Sequence, residues 1–103
     1  MVTTSLVFRV QPHKRAELLS ALDAVLERMR GLPRCMRGRL LGDVEDQTAF
    51  TLAAEWGDAD AARSFFESQE FRILNGIRIL LRDEPVIVIE RIHTHVFDGA
   101  RNC

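Results

Sequence analysis

Apolar and polar positions alternate along this chain with two periods, and each change of period marks an element. Thr3–Val10 is β-branched and apolar, with Leu6, Phe8 and Val10 on one face, which predicts a strand. Gln11-Pro12 ends it, and Pro12 suits a first helical turn, where a missing N–H costs nothing. His13–Leu32 carries Leu18, Leu19, Leu22, Val25, Leu26 and Met29 as a broad apolar stripe, with Lys14, Arg15, Glu17, Asp23, Glu27 and Arg28 mostly opposite. Gly31 and Pro33 stop this helix, and Gly31 is expected at its C-terminal cap.

Cys35–Val44 reads as a second strand, less apolar and containing Arg37, Gly38 and Arg39. Glu45-Asp46-Gln47 is a polar turn that joins it to a third strand, Ala49–Trp56. In that strand Phe50, Leu52 and Trp56 share one face, while the small Ala49, Thr51 and Ala53, followed by Glu55, share the other. Gly57-Asp58 breaks the strand, and Asp58 is a good N-cap for a helix from Ala59 that carries Ala62, Phe65 and Phe66. A further helical piece, Gln69–Leu81, carries Phe71, Leu74, Ile77, Leu80 and Leu81, with Asn75-Gly76 as a weak point. Glu84-Pro85 opens a last strand, Val86–His95, whose first four residues are apolar on both faces. Residues 1–96 thus read as one domain, and Phe97–Cys103 as a polar tail.

The order βαββαβ matches the split βαβ, or ferredoxin-like, arrangement of the α+β class. Right-handed crossovers then set both helices on one face of a four-stranded antiparallel sheet. The second face ought to be polar if water covers it. Val7, the small residues of the third strand and the two-sided apolar opening of the fourth argue that it is covered. No element of the chain remains to do so, which predicts a homodimer.

Composition then narrows the function. Fourteen basic against fifteen acidic residues give a net charge of -1, which offers no global attraction to nucleic acid or anionic membrane. No apolar run approaches the roughly 20 residues of a membrane span, and MVTTSLVFRV lacks the pattern of a signal peptide. Cys35 and Cys103 form no disulfide framework and read as reduced thiols of a cytoplasmic protein. RNA-recognition modules share the βαββαβ order, but they stack bases on strand aromatics, where this chain has Ala53-Ala54-Glu55.

The stretch GLPRCMRGRLLGDVEDQTAFTLAAEWGDADAARSFFESQEF resembles the antibiotic biosynthesis monooxygenase family. The features are a helix ending in Leu32-Pro33, Cys35 opening the next strand, the turn Leu40-Leu41-x-Asp43-Val44-Glu45-Asp46, then Glu55-Trp56-x-Asp58 and Ser68-x-x-Phe71. The similarity covers about residues 3–92. It implies a homodimeric α/β barrel with two sheets packed face to face. It also implies a small oxygenase acting on phenols, quinols or polyketide-like aromatics with dioxygen, without metal or flavin. A second branch of relatives degrades haem, using a first-strand asparagine and a helix histidine. Thr3–Val10 has no asparagine and Asp58–Leu81 no histidine, so haem degradation by that scheme is not expected, and the resemblance to the first branch implies no cofactor.

In such relatives the pocket lies between helices and sheet, and the strand-end tryptophan lines it. The resemblance makes Trp56 the catalytic candidate. It places Phe8, Phe50 and Leu52 of the strands, and Phe65, Phe66, Phe71 and Leu74 of the helices, around the ligand. Each of these also has a plain reading as core. Positions matching Phe65 and Glu70 hold histidines in many relatives, and their loss favours the alternative of a ligand-binding dimer without catalysis. Glu55 points away from Trp56 and reads as a solvated or interface charge. Arg9, Arg37 and Arg39 fall on odd strand positions, suited to pairing with acids or to an anionic ligand. His93 and His95 share a face with Arg91, but nothing completes a metal site, and no metal is expected.

Overall fold

The computed structural model describes residues 1–93. His95, Cys103 and the expected tail lie outside the described residues. Four strands, β1 (Val2–Arg9), β2 (Cys35–Gly42), β3 (Ala49–Trp56) and β4 (Val86–Arg91), form one antiparallel sheet in the order β2-β3-β1-β4. The helices α1 (Arg15–Arg30), α2 (Ala59–Phe66) and α3 (Gln69–Gly76) complete the ferredoxin-like α+β fold. Among the described residues no helix is long and apolar enough to cross a membrane.

Element boundaries follow local chemistry. The first strand begins and ends one residue earlier than the pattern predicts, and Val10 makes an isolated bridge to Leu81. Pro12–Lys14 forms a 3-10 turn rather than the opening of α1. The second strand stops at Gly42, because Asp43 turns the chain: its Oδ1 accepts from the amides of Glu45 at 2.8 Å and Asp46 at 3.0 Å. Asp58 caps α2 as predicted, its Oδ1 accepting from the Ala61 amide at 2.9 Å. Ser68 caps α3 through the Phe71 amide at 3.3 Å. At Asn75-Gly76 the expected long helix ends, and Ile77–Leu80 tightens into a 3-10 turn. The last strand ends at Arg91, not His95, and the Ile92 amide donates to the Met1 carbonyl at 3.0 Å.

The core lies between sheet and helices. Leu6, Phe8, Leu52 and Trp56 from the sheet meet Leu18, Leu22, Val25 and Met29 from α1, with Phe65 and Leu74 from α2 and α3. Gly38 lets α1 approach β2: a Cβ there would sit 3.2 Å from Leu26 Cδ1. The Arg30 guanidinium also crosses to this strand and donates to the Gly38 carbonyl at 3.0 and 3.3 Å. The outer edge of β2 is therefore partly occupied, and a register shift between Cys35 and Arg37 interrupts it further.

The other face of the sheet is built in rows. Cross-strand pairing aligns Arg37, Glu55, Thr3 and Glu90 in one row, and Arg39, Ala53, Ser5 and Val88 in the next. Leu41, Thr51, Val7 and Val86 form a third. On this face Val86 and Val88 are 56% and 39% exposed within the single chain. Arg9 lies beyond these rows, where it pairs with Asp46 at 3.4 Å.

Filling the space at Gly38 tests the packing of α1. Gly38→Val should destabilise the fold by about 1–3 kcal/mol, read as a lower urea midpoint with an unchanged slope.

Candidate functional site

The side chains that organise the candidate site radiate from Trp56, which is buried with Phe65 stacked at 5.3 Å between ring centroids. Phe65 continues into Phe66 at 5.2 Å and Phe71 at 5.8 Å, so one aromatic cluster joins β3, α2 and α3. The Trp56 indole Nε1 donates to Thr4 Oγ1 at 3.0 Å inside the core. Thr4 is fully buried, and without it the indole N–H would lose its partner, at a cost of about 1–3 kcal/mol.

Helix α2 separates two clefts. The larger, about 480 Å³, lies between α2 and β4. Val2, Ala59, Ala62, Phe66 and Ile89 give it apolar walls, while Arg63, Glu67 and Arg91 bring charge to it. It exists because α2 does not cover β4: Ile87 and Ile89 pair with Leu6 and Thr4, in phase with the inward face, yet stay exposed. The smaller cleft, about 290 Å³, lies on the other flank of α2, against the loop Leu32-Pro33-Arg34. Trp56 and Phe65 reach it, and Asp58, Asp60, Ser64 and Ser68 stand around it.

The residues expected to line one pocket are thus divided. Phe66 lines the larger cleft, whereas Trp56 and Phe65 line the smaller. Phe8, Phe50, Leu52 and Leu74 are buried in the core and line neither of these two. Phe71 is half-buried and touches the aromatic cluster. Sequence reasoning missed Arg63, Glu67 and Ile89. Their signal was present: Ala59, Ala62, Arg63 and Phe66 repeat at helical spacing, and Ile87, Ile89 and Arg91 alternate on one strand face.

Arg34 reverses the chain before β2 with φ 65°, the left-handed region, at a cost of about 1–2 kcal/mol for a residue with a Cβ. Gly31 caps α1 as expected, with a right-handed φ of -89°. The Arg34 guanidinium NH1 meets Asp58 Oδ2 at 2.9 Å. It lies across Gly57, where a Cβ would come within 3.1 Å of its Nε.

Other candidates hold structure together. Burial pushes the Cys35 thiol up, so it is not an activated nucleophile. Among the described residues no group of three His, Cys, Asp or Glu side chains could hold a metal. Glu70 ties α3 to α1 through Arg28 at 3.1 Å. A bond from its own backbone amide, helped by Arg28, holds its carboxyl below the usual range.

The sequence profile of the antibiotic biosynthesis monooxygenase family matches residues 1–74. The chain belongs to the antibiotic biosynthesis monooxygenase family. No curated protein sequence matches it. Among solved structures, an antibiotic biosynthesis monooxygenase superposes with a TM-score of 0.83 at 21% identity, covering 91% of this chain and 100% of that one. A conserved protein of Methanosarcina mazei Go1 gives 0.82 at 21%, over 87% and 90% of the two chains. A protein of Mycobacterium tuberculosis gives 0.83 at 17%, over 92% and 97%. At these identities the likeness establishes the fold.

The depressed Glu70 pKa gives a pH signature. A carboxyl whose folded pKa lies below its unfolded value stabilises the fold above the unfolded value and ceases to as pH falls through the folded one. Glu70→Gln should therefore lower stability at neutral pH, and the deficit should close as pH drops below the ordinary glutamate value of 4.5. Urea unfolding at a series of pH values measures it.

Proposed function

We propose that the protein is a cytoplasmic, cofactor-independent monooxygenase of a small aromatic phenol or quinol, and that the cleft between α2 and β4 is its active site. One observation carries this: a cleft of about 480 Å³ with apolar walls and both signs of charge beside them. That volume lies within the roughly 300–1,000 Å³ of small-molecule sites. Phe66, Ala62 and Ile89 would hold an aromatic ring. Arg91 would hold its ionised oxygen, and Glu67 would take the proton.

The chemistry asks little more of the protein. A phenolate passes one electron to dioxygen, giving a phenoxyl radical and superoxide. These recombine at a ring carbon to a peroxide, which loses water to leave a quinone. Both oxidising equivalents come from dioxygen, one oxygen atom entering the product and one leaving as water. The apolar walls keep solvent from the radical pair.

The reading includes a homodimer. A two-fold axis running along the strands between two sheets sets β2 of one subunit over β4 of the other. Arg37 then meets the partner's Glu90, and Leu41 meets the partner's Val86. Ala53 meets the partner's Ser5, both small enough for close approach. The rows are complementary under this operation, and it removes the exposed valines from water.

A second reading, a ligand-binding dimer without turnover, is favoured by phenylalanine at position 65 and by Glu70 being engaged with Arg28. An oxygen electrode with menadiol separates the two. Turnover predicts protein-dependent oxygen uptake that falls about 100-fold in Glu67→Gln. Saturable binding without uptake selects the second reading, and neither binding nor uptake removes both.

For the assembly, sedimentation at micromolar concentration should give twice 11.7 kDa. Arg37→Glu should weaken the dimer and the double swap Arg37→Glu/Glu90→Arg restore it; a monomeric parent protein would sink the proposal.

A further inference from the structure

We propose that the smaller cleft, on the flank of α2 away from the proposed active site, binds a small planar aromatic carboxylate through Arg34. It does not rest on the monooxygenase reading. The cleft, about 290 Å³, sits at the low end of ligand pockets, which limits an occupant to one ring with a short polar group. Its inner wall is aromatic, because the stacked Trp56 and Phe65 rings reach it, and Leu32, Pro33 and Ala61 complete an apolar slot. An aromatic ring packs there in an offset arrangement.

Arg34 supplies the polar end. Its left-handed backbone aims the side chain across Gly57, the one residue type that leaves room for it. The Gly57 amide donates to the Arg34 carbonyl at 2.9 Å and fixes the loop there. A glycine would satisfy the same φ without strain. Asp58 engages NH1, and a guanidinium offers five N–H donors on more than one edge. The two acids at the rim are already matched. Asp58 Oδ1 accepts from the Ala61 amide at 2.9 Å, and Asp60 holds Arg63 at 2.6 Å. The positive end of the α2 dipole faces the same place. The Arg34 side chain is 60% exposed, so the donors that Asp58 does not engage are open to a ligand, and a carboxylate meets them in the fork geometry guanidinium prefers.

The chain has one tryptophan and no tyrosine, so its intrinsic emission reports this cleft. The probe is benzoate, with benzamide and benzylamine as neutral and cationic counterparts. Titration should change Trp56 emission saturably at millimolar benzoate, and shift the Trp56 indole and Ser64 amide signals in a heteronuclear NMR spectrum. Arg34→Gly fits the left-handed backbone and should fold, yet bind benzoate at least tenfold more weakly, while Arg91→Ala in the larger cleft should leave the response unchanged. Absence of a saturable response overturns the proposal. So does benzamide or benzylamine binding as tightly as benzoate, or a response that Arg91→Ala removes and Arg34→Gly spares.

Discussion

The fold depends on how Trp56 is held. Its ring packs on Phe65 while its one polar atom donates to Thr4 on the neighbouring strand. Burying an indole supplies about 200 Å² of contact, but only if its N–H finds an acceptor. Thr4 meets that condition directly, at 3.0 Å. The consequence is a fixed joint between β1, β3 and α2, in which helix position follows from a hydrogen bond made inside the sheet. Because Gly57-Asp58 ends β3 directly after the tryptophan, α2 starts from that joint and has little freedom in its path.

That anchoring explains why the molecule has clefts where it does. Helix α2 has only eight residues, and its inner face is spent on Ala61, Ala62 and Phe65 against the sheet. Its two flanks are left with small residues beside longer ones. On one side the sheet extends past it to β4; on the other, the Leu32-Pro33-Arg34 loop stands off from it. Both spaces share the aromatic cluster as a common wall. A change at Phe65 would be felt in both, even though its ring reaches only the smaller.

Much of the architecture was legible in the sequence. The third strand ended where Gly57-Asp58 said it would, since a strand breaker and a helix cap are local signals. Asn75-Gly76 was readable as a weak point, and it is where α3 tightens. Division of the expected pocket was not legible. It depends on how far a helix reaches across a sheet, a distance no residue pattern encodes. The two-sided apolar run Val86–Ile89 was its only trace, and it reads equally as a sign of a partner. Thr4 was hidden for a different reason. It sits in phase with Val2 and Leu6, but a threonine at an inward position declares nothing until its acceptor role is seen. Arg34 was missed because a left-handed turn is expected at glycine, and an arginine at positive φ leaves no mark in the residue pattern.

The two edges of the sheet have unequal fates. At β2, Arg30 occupies the Gly38 carbonyl and the register shift at Cys35 bends the strand, so an incoming strand finds no continuous ladder. At β4, the run Val86–Ile89 carries no proline or lysine to repel one. Among the described residues the two edges therefore differ: an added strand meets an interrupted ladder at β2 and a continuous apolar run at β4.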